Sequence, residues 1–138
     1  MRLIAALLLA GAAPAPAQIA PISFEAGKAL SPASGQWTYF ATAGGSIAMY
    51  GSHIQLRCDR AARIVTISRP NDAPAALTIA TDSITRALPS NGRLLATDPL
   101  LDAIAYSRGR FIVAGGTGPT VAVPSWPEAA RSIEDCRN

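Results

Sequence analysis

Two arginines flank the end of a predicted helix, in the segment Tyr106-Ser107-Arg108-Gly109-Arg110. Guanidinium groups bind carboxylates and phosphates through paired N–H donors, and the negative end of a helix dipole also attracts cations. If the fold brings Trp126 near, Arg108, Arg110 and Trp126 would form a patch for an anionic or sugar ligand. The alternative is that both arginines complement the helix end and form ion pairs with acidic residues. The acidic residues considered for such pairs are Glu128, Glu134 and Asp135.

His53 is the only histidine, and Ser46 and Ser52 lie near it in the sequence. A His–Ser pair performs nucleophilic catalysis only when a third group orients the base and the nucleophile is exposed on a strained turn. The sequence contains no Gly-x-Ser-x-Gly elbow to supply such a turn. We therefore predict no catalytic residues and no enzymatic activity. A small hydrolase that uses His53 with a Ser or Asp is the alternative.

The carboxylates Asp98 and Asp102 are four residues apart, a spacing that could serve acid–base chemistry or hold a metal. Asp98 also precedes Pro99 as an N-cap residue would, and that structural role is the better interpretation. The run Gly115-Gly116-Thr117-Gly118 lacks the Lys-Ser/Thr ending of a phosphate loop and precedes a strand, so it predicts a hairpin turn. We predict no metal site and no cofactor.

The first seventeen residues have the layout of a cleaved secretory signal. A positive start at Arg2 is followed by an apolar run, and Ala15 and Ala17 supply small residues for signal peptidase. We expect cleavage before Gln18 and a periplasmic or secreted location. No second apolar run approaches the ~20 residues of a membrane span, so no span is expected after cleavage.

Cys58 and Cys136 are the only cysteines of the chain. Two cysteines in an exported protein favour one intramolecular disulfide, because the compartment is oxidising. The rival interpretations are a reactive thiol and a metal site that would combine both thiolates with His53. We predict a Cys58–Cys136 disulfide that ties the middle of the domain to its C-terminus.

The charge balance gives little sign of a polyanionic partner. Net charge is +3, and removing Arg2 with the leader leaves 11 basic and 9 acidic residues. A net charge of +2 is too weak to predict nucleic-acid binding. Lys28 is the only lysine among the basic residues. Four arginines flank one predicted hairpin and would form either a basic face or an ordinary solvated face: Arg57, Arg60, Arg63 and Arg69.

Residues 18–35 predict an irregular N-terminal arm, and residues 36–138 predict a single β-rich domain. Short strands follow one another with a turn signal every 8–12 residues, which is typical of an antiparallel meander or sandwich. In the strand at residues 53–58, alternation places Ile54, Leu56 and Cys58 toward the core. Ser90-Asn91-Gly92 predicts a hairpin that pairs residues 93–96 back onto the strand containing Ile84 and Leu88.

Two short helices are expected in the C-terminal third. The first begins after Asp98 and stops before Gly109. The second has capping-box spacing at Ser125 and Glu128, and Cys136 lies on its apolar stripe. The predicted fold is mainly β (α+β), with these two helices and one disulfide.

Several C-terminal segments resemble small exported proteins of uncharacterised function from Gram-negative bacteria. They are residues 98–111 (Asp-Pro-Leu-Leu-Asp-Ala-Ile-Ala-Tyr-Ser-Arg-Gly-Arg-Phe), 124–128 (Pro-Ser-Trp-Pro-Glu) and 133–137 (Ile-Glu-Asp-Cys-Arg). A second likeness is to the invasion-associated locus B family of periplasmic proteins, which also run helix, strand, strand, helix near the end. The resemblance implies a periplasmic, two-cysteine, β-rich domain and carries no active site to this sequence.

These observations predict a non-enzymatic accessory or binding protein of the periplasm or extracellular space. Its partner would be an envelope protein or an anionic ligand at Arg108, Arg110 and Trp126. The alternatives are the His53 hydrolase and a purely structural envelope protein.

Overall fold

The computed structural model describes residues 10–12, 22–73 and 75–138. The predicted leader lies outside the described residues except at positions 10–12, and so do residues 18–21 of the predicted arm. The described part forms two antiparallel sheets and three short helices, which confirms the predicted β-rich class. None of its helices is long and apolar enough to cross a bilayer.

The strands, in chain order, are β1 (Trp37–Thr42), β2 (Gly45–Tyr50), β3 (Ile54–Asp59), β4 (Ile64–Ser68), β5 (Thr78–Ala80), β6 (Thr85–Ala87), β7 (Arg93–Leu95), β8 (Arg110–Ala114) and β9 (Val121–Pro124). The helices are α1 (Phe24–Gly27), α2 (Pro99–Tyr106) and α3 (Pro127–Asp135). The first sheet has the order β1-β2-β3-β4-β7, and the second has the order β6-β5-β8-β9.

The inner faces of both sheets share one hydrophobic core with α2 and α3. In β3, Ile54, Leu56 and Cys58 are buried while Arg57 is exposed, so the predicted alternation is confirmed. Direct antiparallel partners lie on the same face. The pairing of Ala48 with Leu56, and of Leu56 with Ile67, therefore extends the inner face across three strands.

The predicted hairpin between β6 and β7 is wrong. The turn exists, since the Gly92 amide donates to the Pro89 carbonyl over 2.8 Å. After this turn, however, the chain crosses to the first sheet, where β7 pairs with β4. The Ile67 amide donates to the Gly92 carbonyl over 2.9 Å. This crossing places Leu94 opposite Val65, where both side chains are buried. Burial in the core thus decides the pairing that the turn signal alone could not.

The described part of the N-terminal arm contains one helical turn rather than only irregular chain. The Ser23 side chain caps α1 by accepting from the Ala26 amide. The turn packs on the outer face of the second sheet, where Gly27 faces Ile112. A bridge between Pro32 and Ala122 then holds the arm along β9.

The start of α2 confirms Asp98 as its N-cap, because its side chain accepts from the Leu100 amide over 2.9 Å. The predicted capping box of α3 is wrong. Pro127 keeps the preceding Trp126 extended, so Trp126 becomes the N-cap residue and makes no side-chain capping bond. The Oγ of Ser125 is buried without a hydrogen-bond partner in the described part of the chain.

The Cys58–Cys136 disulfide is confirmed, with the two Cα atoms 5.5 Å apart. Both cysteines are buried, and Ala129 and Ile133 lie on the same buried face of α3. The neighbouring Ser46 and Ser132 hydroxyls form a buried hydrogen bond of 2.8 Å. The bridge therefore fastens α3 to the inner face of the first sheet.

Candidate functional site

Arg108 and Arg110 lie in the tight connection between α2 and β8. Gly109 has φ +74°, a left-handed conformation that glycine adopts without steric cost. The Ser107 hydroxyl donates to the Arg110 carbonyl over 2.6 Å and accepts from the Asp82 amide over 3.2 Å. These bonds fix the tip of the β5–β6 hairpin against the arginine-bearing turn.

The register of the second sheet shows why Arg110 faces the arm. Ile112 pairs with Ala80 and with Ala122, and these residues form the outer face beneath α1. Arg110 lies two residues before Ile112 on the same strand and therefore projects from the same face. Its Nη1 donates to the Leu30 carbonyl over 2.7 Å, and the Gly27 carbonyl lies at 3.5 Å.

A cavity of about 430 Å³, here called the α1 cleft, opens between α1, the β5–β6 hairpin tip and the arginine-bearing turn. It is lined by Phe24, Glu25, Lys28, Asp82, Ser83, Arg108 and Arg110. The lining contains three cations and two carboxylates. The volume falls within the range of about 300–1,000 Å³ that is usual for small-ligand sites.

The charges of the α1 cleft are unequally paired. Lys28 Nζ lies 2.9 Å from Glu25, an exposed ion pair, whereas Arg108 Nε is 3.8 Å from Asp82. The Arg108 side chain is 93% exposed, and its backbone amide already donates to Asp82 over 3.3 Å. The long contact leaves the Arg108 guanidinium only weakly held. The cleft therefore offers one cation in excess and an arginine that is accessible to a ligand.

Trp126 does not line the α1 cleft. Its ring is 47% exposed and lies edge-on to Tyr50, with the ring centroids 6.4 Å apart. The expected ion pairs of Arg108 and Arg110 with C-terminal acids also do not form among the described residues. Glu134 lies 3.5 Å from Arg137, and Asp135 accepts from the Tyr39 hydroxyl. The structure thus brings the two arginines together at one cavity. Trp126 follows Ser125, whose amide donates to the Gly109 carbonyl over 3.1 Å, but its ring packs against Tyr50 and does not line that cavity.

His53 lies in the turn before β3. Its ring Nε2 is 3.1 Å from the Ser34 carbonyl oxygen. The ring also lies beside Tyr50, with the centroids 6.1 Å apart. These contacts pack His53 between the arm and the first sheet, and the partner of its ring nitrogen is a backbone atom rather than a hydroxyl or carboxylate.

Asp98 and Asp102 bind different partners. Asp98 accepts from Arg86 over 2.7 Å as well as from the Leu100 amide, and Asp102 accepts from Arg137 over 2.7 Å. Burial raises the pKa of Asp98, but the Arg86 and Leu100 hydrogen bonds outweigh it and the net pKa is lowered. The hydrogen bond from Arg137 to Asp102 raises the pKa of that guanidinium. Both carboxylates therefore serve ion pairs and a helix cap.

The Gly115–Gly118 run forms the β8–β9 hairpin turn and encloses a buried arginine. Arg69 is 5% exposed, which excludes it from the solvated face formed by Arg57. It donates to the Gly115 carbonyl over 2.9 Å and to the Pro119 carbonyl over 2.7 Å. Hydrogen bonds from the Thr117 amide and hydroxyl lower the pKa of Asp72. The loop is thus held by side chains and offers no phosphate cradle.

A larger cavity of about 590 Å³ lies on the opposite side of α1. Its lining contains no charged residue and includes Ile22, Leu30, Ile112 and several threonines. In the described part of the chain, no group of three or more His, Cys, Asp or Glu side chains is placed to hold a metal. Of the two cavities beside α1, only the α1 cleft is lined by charged side chains.

Lys28 and Asp82 also line the α1 cleft and were not predicted from the sequence. Lys28 lies eighty residues before Arg108, and Asp82 sits in a hairpin tip with no distinguishing motif. The only available signal was that Lys28 is the single lysine of the chain. No family model, curated protein or solved structure matches the chain.

Proposed function

We propose that this protein is an exported, non-enzymatic accessory protein that binds a carboxylate- or phosphate-bearing ligand in the α1 cleft. The observation that carries this proposal is the convergence of Lys28, Arg108 and Arg110 on a cavity with only two carboxylates. The leader pattern supports export to the periplasm or beyond. The disulfide is compatible with that oxidising compartment.

The two arginines contribute differently to binding. Arg110 is oriented by the carbonyls of the arm, so its guanidinium is already positioned before a ligand arrives. Arg108 is exposed and can turn from Asp82 toward an incoming anion. Paired N–H donors on two neighbouring guanidinium groups suit a carboxylate or phosphate, because such charge-assisted hydrogen bonds are short and strong. Ser83 and the Phe24 ring supply polar and apolar contacts beside them.

The test is an NMR titration of the exported protein with inorganic phosphate and with citrate. We expect amide shifts confined to the segments 24–28, 82–83 and 108–110, which line the α1 cleft. Arg108→Ala should weaken binding about tenfold, the loss of one good charge-assisted hydrogen bond. Arg108 is the cleaner probe, because removing Arg110 would also release the arm.

Arg57→Ala is the matched control, since Arg57 is an exposed arginine on β3 of the other sheet. Its affinity for both anions should equal that of the wild type. An equal loss in both variants would show general charge attraction instead of a site. At ~10 mM anion even weak binding would shift the amide signals. The absence of any shift at that concentration would refute the proposal.

A further inference from the structure

Strand β1 forms one edge of the five-stranded sheet, and no described segment pairs with its outer side. A sheet edge presents unpaired N–H and C=O groups that can template pairing with another strand. Proteins normally protect such edges with charged residues, proline, bulges, very short strands or a covering segment.

The other three edges are protected. Strands β6 and β7 have three residues each and carry Arg86 and Arg93 respectively. Strand β9 is covered by the arm, since the Ala33 amide donates to the Ala122 carbonyl over 2.9 Å. By contrast, β1 has six residues and the sequence Trp-Thr-Tyr-Phe-Ala-Thr, with no charge, proline or glycine. Its aromatic and β-branched residues favour strand pairing.

The hydrogen-bond phase shows which groups of β1 face outward. The Gly51 amide donates to the Gln36 carbonyl over 3.3 Å, at the end of the β1–β2 ladder. Bonding alternates along an antiparallel pair, so Thr38 and Phe40 also direct their backbone groups toward β2. The N–H and C=O groups of Tyr39 and Ala41 therefore point away from the sheet.

We infer that β1 pairs antiparallel with β1 of a second copy of this chain, which joins the two five-stranded sheets into one. A two-fold axis perpendicular to the sheet keeps the inner faces of both copies on the same side. Directly opposed residues share a face, and neighbouring residues of a strand lie on opposite faces. One residue of β1 must therefore lie opposite the same residue of the partner, with the axis midway between them. The candidates at the centre of β1 are Tyr39 and Phe40.

The surroundings of the strand favour Phe40 on the axis. Tyr39 lies under the Arg131 guanidinium, 3.9 Å from the ring centroid, and its hydroxyl binds Asp135. An axis at Tyr39 would bring Arg131 toward the partner's Arg131, and Asp135 toward the partner's Asp135, so that like charges approach each other. With Phe40 on the axis, its ring, 45% exposed in one copy, packs on the partner's Phe40. Tyr39 then opposes the partner's Ala41, and the outward backbone groups of both residues are paired.

The pairing should be reversible. Five paired residues span about 17 Å of strand, and a contact of that size buries less than the roughly 800 Å² per partner of a standard interface. We therefore expect the exported protein to change from one chain mass to two in sedimentation velocity between ~5 and ~500 µM. A single chain mass at every concentration would overturn the inference, including the case in which β1 instead binds an unrelated extended peptide.

Ala41→Pro tests the edge directly. Its amide points outward, so proline removes a bond of the new pair and none of the β1–β2 ladder. The variant should keep its circular dichroism spectrum and remain one chain mass at ~500 µM. If Ala41→Pro does not fold, Ala41→Lys blocks the edge by charge and should give the same result. Association that persists in the folded variant would contradict the proposed interface.

Cysteine crosslinking tests the register. Phe40→Cys places a thiol on the axis, opposite its own copy at a Cα separation of about 4.5 Å, and should give a disulfide-linked dimer under mild oxidation. Thr38→Cys is the matched control on the same face and strand. Two residues from the axis, it lies opposite the partner's Thr42 and should stay unlinked. Equal crosslinking of both variants, or none of Phe40→Cys, would overturn the register and with it the inference.

Discussion

Removing the Cys58–Cys136 bridge should cost this domain a large part of its stability. The bridged residues are 78 apart in sequence. In the chain-entropy model, opening a loop of that length raises the conformational entropy of the unfolded chain and lowers its free energy by about 4.5 kcal/mol at 25 °C. A domain of this size is stable by about 5–15 kcal/mol. We therefore expect Cys58→Ala with Cys136→Ala to remain folded at 25 °C, with a free energy of unfolding lower by about 4.5 kcal/mol.

The native packing should largely survive the change. Ile133 and Ala129 remain buried against the core, and the Ser46–Ser132 hydrogen bond still joins α3 to β2. Most of the lost stability should therefore appear as a greater freedom of the unfolded chain. With a urea slope of about 1.5 kcal/mol per molar, the unfolding midpoint should fall by about 3 M. The slope itself should rise, because an unbridged chain exposes more surface when unfolded.

Ser132→Ala is the control for a weakened contact of α3 without loss of the crosslink. It leaves the buried Ser46 hydroxyl without its partner and should cost about 1–2 kcal/mol, with an unchanged urea slope. Reducing the wild type and alkylating both thiols should lower stability at least as far as the double alanine variant. A double variant that loses less than about 1 kcal/mol would refute the reasoning, since the unfolded chain would then be compact with or without the bridge.

Three further changes test the fold and the site. Asp98→Asn should lower the free energy of unfolding by about 1 kcal/mol at pH 7. The pKa of Asp98 is lowered in the folded protein, so the difference in urea midpoint between the variant and the wild type should be complete above about pH 4. That difference should vanish as the pH falls through the folded pKa. Gly27→Ala, whose Cβ would overlap the Cγ1 and Cδ1 atoms of Ile112, should release α1 and weaken anion binding in the NMR titration, and adding Ile112→Ala, which removes both of those atoms, should restore part of it. Arg69→Met should cost about 2 kcal/mol by urea unfolding and speed amide exchange in the β8–β9 turn, whereas Arg57→Met should change neither.

Short-range patterns in the sequence predicted local structure well. Asp98 with Pro99 marks the start of α2. The Asp98 carboxylate can accept from the Leu100 amide, and proline in the first turn has no N–H that would need an acceptor. Alternation in β3 predicted that Cys58 faces inward, and the apolar stripe of α3 predicted the same for Cys136. The disulfide followed from two local predictions and an inferred compartment.

Pairing between distant segments could not be predicted from such patterns. Ser90-Asn91-Gly92 carries the same turn signal whether the next strand folds back or crosses to the other sheet. The choice is made by Leu94, which is buried beside Val65 only when β7 joins β4. Arg69 presents a similar case. Its burial depends on carbonyls of a hairpin turn 46 and 50 residues further along the chain, which satisfy its guanidinium.

The same distinction explains what was missed at the α1 cleft and gives the site a physical consequence. Arg108 and Arg110 are neighbours, so one segment was enough to mark them. Lys28 arrives only because Gly27 lacks a side chain and lets α1 lie against Ile112. The small apolar contact at Ile112 is separate from the main core, so docking of the arm can be lost without unfolding the sheets. Arg110 binds carbonyls of this arm. Anion affinity should therefore vary with arm docking even when the free energy of unfolding of the sheets does not change.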